Sequence, residues 1–201
     1  MNENYTALLG ILTGLGLSAA CGFRVFVPLL VASIAVRSGA IHVADDFAWI
    51  GSVPAIVCFS VATSCEIAGY FLPGVDHFLD VIATPAAIVA GTLLTASFIT
   101  DMQPWFRWSL AVVAGGGIAG TVQATTVVTR AASGLLTFGL GNPVVAAGEL
   151  AGATTIAILA AILPVLALLL VLVLVVWMWS RRKQPRAQRV DESAAGWGSR
   201  S

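Results

Sequence analysis

Charge is what this chain has least of. Ten basic and ten acidic side chains are spread over 201 residues, so only 10% of the sequence is ionised. A water-facing globular domain carries about 25% charged residues. The deficit excludes an ordinary soluble surface, and no nucleic-acid partner is expected, since the basic residues gathered near the C-terminus read better as a membrane-side anchor. Paired cysteines are also missing. Cys21, Cys58 and Cys65 show no CxxC spacing and fall in apolar runs, which predicts three reduced thiols used in packing. No HExxH or GxSxG pattern occurs, and no nucleophile has an evident base beside it, so the common hydrolase signatures are absent. The N-terminus opens on Asn2 and Glu3 rather than a basic region, and the first apolar run is too long for a cleaved leader. The first segment is therefore expected to stay in the mature chain.

What is present is hydrocarbon. The sequence is 58% hydrophobic with a mean hydropathy of +0.94, and a spanning helix needs about 20 apolar residues. The pattern predicts an all-α polytopic membrane protein whose partner is the lipid bilayer. Its transmembrane domain covers 5–180, followed by a basic, disordered cytoplasmic tail over 181–201. The first run, from Tyr5 to Val36, reads as one long helix, tilted or broken. Gly10, Gly14, Ser18 and Gly22 repeat at every fourth position and form a strip for close helix packing. Further spans are expected over Ile50 to Leu72, Asp76 to Phe98 and Trp108 to Ala131. Val144 to Trp179 is too long for one perpendicular helix. Two spans turning near Pro164 are preferred there over a re-entrant piece and one span.

That makes about six spans, with both termini in the cytoplasm. The cluster Arg181, Arg182, Lys183, Arg186 and Arg189 after the last apolar run agrees with the positive-inside rule. Each triplet of spans begins with a glycine-rich helix containing an arginine. This is compatible with a 3+3 inverted repeat with broken or re-entrant helices, a common transporter plan. The small-residue strips permit a homo-oligomer without requiring one. Gly115, Gly117 and Gly120 spell GxGxxG, but no strand precedes them, so helix packing explains them better than a dinucleotide.

Against this background the few ionisable residues inside the spans stand out. Each costs about 2.5–3.5 kcal/mol on insertion scales, and such groups usually face a bundle interior or an aqueous cavity. Glu66, Asp76 and Asp80 crowd into CEIAGYFLPGVDHFLDVIATP, and Arg24, Arg130 and Glu149 are the other charges at membrane depth. Asp76, Asp80, Ala83, Thr84, Ala87, Gly91 and Thr95 share one sector of a helix, while Gln123, Thr126 and Arg130 share another. Asp76 also suits a cap after Pro73-Gly74. Pro85 is expected to kink its helix or free a carbonyl, and Asn142-Pro143 to start one. Convergence on a single polar cavity with surplus negative charge predicts proton or cation binding by Glu66, Asp80 and Glu149, with Asp76 a further substrate- or ion-binding candidate. Arg24 and Arg130 would supply counter-charge or anion contact, and Thr84 and Asn142 polar coordination.

The function expected on these grounds is secondary transport or permeation of a small solute or ion, with proton or sodium coupling and no cofactor. A non-transporting scaffold or assembly factor is the first alternative. A metal-dependent intramembrane enzyme is the second, because Asp76-His77, Asp80 and Glu66 offer ligands one turn apart.

The segments GLSAACGFRVFVPLL (Gly16 to Leu30), PGVDHFLDVIATP (Pro73 to Pro85) and GLGNPVVAAGEL (Gly139 to Leu150), together with Glu66, resemble the bacterial membrane family catalogued as domain-of-unknown-function 4126. The likeness covers nearly everything from Gly10 to Val176. It implies an integral inner-membrane protein and no particular activity. It places Arg24, Glu66, Asp76, Asp80, Thr84, Asn142 and Glu149 in or beside shared motifs, and leaves Arg130 outside them.

Overall fold

The computed structural model describes residues 3–70, 75–100, 102–137 and 141–164, with 166, 167, 169, 170, 173 and 176, and side chains from residue 7 onward except 75–77. Helices α1 (Glu3–Cys21), α2 (Phe26–Arg37), α3 (Val53–Tyr70), α4 (Val75–Phe98), α5 (Pro104–Leu110), α6 (Gly117–Thr137) and α7 (Asn142–Ile162) follow one another, with a 3-10 turn at Asp45–Gly51 and a π segment at Ala111–Gly116 joining α5 to α6. Among the described residues there is no strand. Among the described residues four helices are long and apolar enough to cross a bilayer: Val53–Tyr70, Phe78–Phe98, Pro104–Thr137 and Asn142–Ile162. Their outer faces carry exposed Val57, Val61, Val89, Val113 and Val128, an apolar surface that lipid covers and water would not.

The small-residue strip of α1 packs on α4. A Cβ on Gly10 would lie 2.8 Å from the Phe98 carbonyl oxygen, and one on Gly14 would lie 3.0 Å from the Thr95 Cα. One turn further along, Ser18 donates to the Gly91 carbonyl at 2.6 Å and lies 2.7 Å from the Thr95 hydroxyl. Such close backbone approach is how helices associate where lipid removes the hydrophobic drive. The π segment belongs to the same seam, since a Gly115 Cβ would come within 2.6 Å of the Gly91 carbonyl oxygen. Gly115 and Gly120, against α4 residues Gly91 and Ile88, are thus contact glycines, whereas Gly117 faces open space.

The first apolar run departs from a single pass. α1 starts beside the C-terminal end of α4 and reaches α6 at Gly22, whose Cβ would meet Val122 and Ala119 at 2.5 and 2.6 Å. After α2 the chain is back at the α4 C-terminus, where Ala44 N–H donates to the Ser97 carbonyl at 2.8 Å. α1 and α2 therefore form a hairpin whose tip, Gly22 to Val25, points into the bundle. The break at Gly22-Phe23-Arg24-Val25, a tight turn whose first three N–H groups bond back to Ala19 and Ala20, has a physical basis. Gly22 leaves no side chain between the tip and α6, and the N–H groups freed at the start of α2 find an acceptor on α3.

The other elements follow the sequence pattern more closely. Along α4, Ala83, Ala87, Gly91 and Thr95 are buried with Asp80 and Thr84 half-buried beside them, as the shared sector requires, and the helix continues through Pro85. α7 has Gly141 rather than Asn142 at its N-cap, with Pro143 in the first turn. Asn142 instead turns inward beside Gly134. Near Pro164 the chain turns sharply. Ala160 and Ala167 lie 2.8 and 3.5 Å from the point a Gly16 Cβ would occupy, whereas a continuous helix would separate them by about 10.5 Å. Of the cysteines only Cys21 is packed, Cys58 and Cys65 being exposed on α3. The break expected at Leu72-Pro73-Gly74 and the basic tail lie outside the described residues.

Candidate functional site

Most of the buried charges meet at the tip of the α1–α2 hairpin, Arg107 pairing elsewhere with Asp46. A helix that starts inside a bundle exposes backbone N–H groups with no partner of their own, and Val25, at the N-cap of α2, has no oxygen to offer. Glu66 reaches across from α3 to fill the gap. Its Oε1 accepts the Val25 N–H at 2.8 Å and its Oε2 the Phe26 N–H at 3.1 Å. The negative charge thereby faces the positive end of the α2 dipole.

One helical turn further along α3, Tyr70 organises the cationic part. The Arg24 guanidinium carbon lies 3.9 Å from the centroid of its ring and that of Arg130 lies 4.1 Å away, both within cation–π range. The phenol donates to Asp80 Oδ1 at 3.2 Å. Arg130 from α6 is held on several sides. Its Nε donates to both oxygens of Glu149 at 3.0 Å, its Nη2 to Glu149 Oε2, and its Nη1 to Asp80 Oδ1. This is the forked pairing that arginine makes with carboxylates.

Arg24 is less fully engaged. Its Nη2 donates to the Ala146 carbonyl at 2.9 Å and stands 3.6 Å from Glu149 Oε2. Its Nε and Nη1 are buried with no hydrogen-bond partner, although the residue is only 1% exposed. Buried donors in that state are uncommon. The Gln123 amide nitrogen and the Thr63 hydroxyl share the condition.

Of the residues predicted from sequence, Arg24, Glu66, Asp80, Arg130 and Glu149 come together, from the hairpin tip, α3, α4, α6 and α7. Their described side chains amount to three carboxylates against two guanidiniums. The charges are in direct contact, and Glu66 serves the α2 terminus rather than an arginine. Thr84 turns its hydroxyl onto its own helix, donating to the Asp80 carbonyl at 2.9 Å. Asn142 is buried on the face of α7 that carries Ala146 and Glu149. The side chains of Asp76 and His77 lie outside the description. Among the described residues no three His, Cys, Asp or Glu side chains stand together as metal ligands would.

Sequence reasoning missed Tyr70 and the Ala146 carbonyl. Tyr70 had a signal, since it follows Glu66 by one turn on the same helix face. The carbonyl had none. Gln123, Thr126 and Arg130, read as one face of α6, are all buried.

Comparison with characterised proteins and with solved structures returns no match. A family profile does match, over residues 11–183, which includes every residue of the charged cluster. The chain belongs to the family described as a domain of unknown function, DUF4126.

Proposed function

We propose that this membrane protein is a secondary transporter or permease for a small solute, with the cluster of Arg24, Tyr70, Asp80, Arg130 and Glu149 as its substrate and coupling site. The observation that carries the reading is Arg24: a buried guanidinium at the break of a helical hairpin with two donor atoms unused. Broken helices inside the bilayer commonly border binding sites. A charge held there at high cost implies a purpose beyond helix orientation. Asp80 and Glu149 share Arg130 between them, so a proton or cation arriving at either carboxylate would loosen that pairing and let α4 and α7 shift against α6.

In this reading the α1–α2 hairpin enters and leaves the bilayer on one side, and the four long apolar helices cross it. The chain turns back near Pro164 along α1, and a further crossing there would put the basic tail on the side opposite Glu3. That revises the expectation of six full spans with both termini in the cytoplasm. It also makes the two glycine-rich, arginine-bearing segments unlike. The first reverses at Arg24, while Pro104–Thr137 runs through, so the inverted-repeat reading has little to support it.

One observation favours a second reading, a scaffold without transport. Every nitrogen of Arg130 already has a carboxylate partner, as a purely structural lock would. Proton flux through proteoliposomes separates the two. Transport requires that Asp80→Asn and Glu149→Gln reduce flux in protein that still folds. A scaffold requires no flux above empty vesicles.

A further inference from the structure

The unpaired polar atoms around the hairpin tip have one chemical character. Arg24 Nε and Nη1 and Gln123 Nε2 are donors, and the Thr63 hydroxyl can be one. All three residues are more than nine-tenths buried. They sit on elements that meet at the tip. Val122, next to Gln123, packs on Gly22 two positions before Arg24, and Thr63 precedes Glu66 by one turn on the helix that caps α2. The local carboxylates leave Arg24 Nε and Nη1 unmet: Glu66 is on backbone N–H groups, Asp80 on Arg130, and Glu149 on Arg130 with only Nη2 of Arg24 near it. What is left over is therefore hydrogen-bond donation, and its complement is a ligand rich in acceptors.

We infer that Arg24, with Gln123 on the helix packed against the hairpin tip, is the contact for a small oxyanion, a carboxylate or a phosphate, which binds together with a proton. This rests on the transport reading of the same site and names its substrate class. Nε and Nη1 lie on different edges of the planar guanidinium, with Nη2 held by the Ala146 carbonyl, so Arg24 offers an anion oxygen a single charge-assisted N–H rather than a two-donor fork. The proton follows from charge. The groups facing the tip are Glu66 and Tyr70 on α3, Asp80 on α4, Arg130 on α6 and Glu149 on α7, with Arg24 itself. With three carboxylates against two guanidiniums, the site already leans negative. Adding an anion to a low-dielectric interior is costly unless a cation comes with it. Asp80 and Glu149, which share one arginine, are the carboxylates placed to take that proton. The acceptor-rich group could belong to a free solute or to the head group of an anionic lipid, and the experiment separates them.

The test is equilibrium binding of labelled pyruvate and labelled inorganic phosphate to the full chain in phosphatidylcholine nanodiscs, at mildly acid and mildly alkaline pH. The expected result is saturable binding of at least one anion, tighter in acid, and weakened about tenfold or more in Arg24→Lys, which keeps the charge and removes the Nε and Nη1 donors. Gln123→Leu removes a buried unpaired donor, so its melting temperature should hold or rise while anion binding falls. A purely structural glutamine would not behave in that way, and this variant carries the test if Arg24→Lys is unstable. In parallel nanodiscs containing phosphatidylglycerol, loss of pyruvate and phosphate binding assigns the oxyanion site to lipid head groups, and retention assigns it to a free solute. Binding of neither anion, or binding that Arg24→Lys and Gln123→Leu leave unchanged, overturns the inference. Proton flux through proteoliposomes without anion binding would leave transport standing and remove the substrate class. Anion binding without flux would do the reverse.

Discussion

Glu66 accepts the backbone N–H of Val25 at 2.8 Å across 41 positions of sequence, so a carboxylate on one helix caps the start of another inside the bundle. A hydrogen bond to a charged group contributes about 1.5–3 kcal/mol, and Glu66 makes two of them. Glu66→Ala should therefore lower stability by about 3 kcal/mol or more, because two buried N–H groups lose their acceptor. Glu66→Gln keeps one carbonyl oxygen and should lose roughly half as much. Denaturation in mixed detergent, followed by helicity, checks the order of the two variants.

Arg130 is the hub of the ion pairs. Removing one member of a buried pair leaves the partner charge uncompensated, at about 3–5 kcal/mol. Arg130→Met is expected to fall in that range. Arg130→Met combined with Glu149→Gln should recover part of the loss, since one stranded charge is then gone. A double-mutant cycle on the same denaturation signal reads the coupling.

Tyr70 joins the cationic and anionic halves through different parts of one side chain. Tyr70→Phe keeps the ring under Arg24 and Arg130 and removes only the donor to Asp80, so it should cost about 1 kcal/mol. Tyr70→Leu loses the cation–π contacts as well, adding about 1–2 kcal/mol. If Tyr70→Phe proved the more damaging of the two, the ring contacts described above would be without energetic weight.

Much of this arrangement was legible before any coordinates. Period and composition located α3, α4, α6 and α7, because a membrane helix must be apolar for a full bilayer width. The cost of intramembrane charge singled out Arg24, Glu66, Asp80, Arg130 and Glu149 for the same reason. The hairpin was not legible. α1 and α2 are apolar on all sides, so a reversal between them leaves no change in hydropathy. What permits the turn is Gly22 against Val122 and a cap supplied by Glu66, both of them long-range contacts. The ring of Tyr70 was overlooked because an aromatic residue near a helix end reads equally well as an interfacial anchor.

The hairpin gives a topological prediction. With the native cysteines replaced, single cysteines at Asn4 and Ser38 should react with a membrane-impermeant thiol reagent from the same side of sealed vesicles. Reaction from opposite sides would mean that the first run crosses the bilayer, and the tip geometry would be wrong.

Gly22 and Gly117 make a paired control on packing. A Cβ at Gly22 would stand 2.5 Å from the Val122 Cβ and 2.6 Å from a backbone oxygen, while at Gly117 it would meet nothing within 4 Å. Gly22→Ala should cost about 1–3 kcal/mol through overpacking. Gly117→Ala should be neutral or stabilising by up to about 1 kcal/mol, as alanine is the better helix former.

The most direct measurement of the central claim is proton entry into sealed proteoliposomes when a phosphate or pyruvate gradient is imposed, read by an internal pH dye for wild type and Asp80→Asn. The account predicts anion-dependent acidification by the wild type and its loss in Asp80→Asn protein of unchanged helicity. Equal acidification by wild type, Asp80→Asn and empty vesicles would contradict it, and the cluster around Arg130 would then stand as a structural lock.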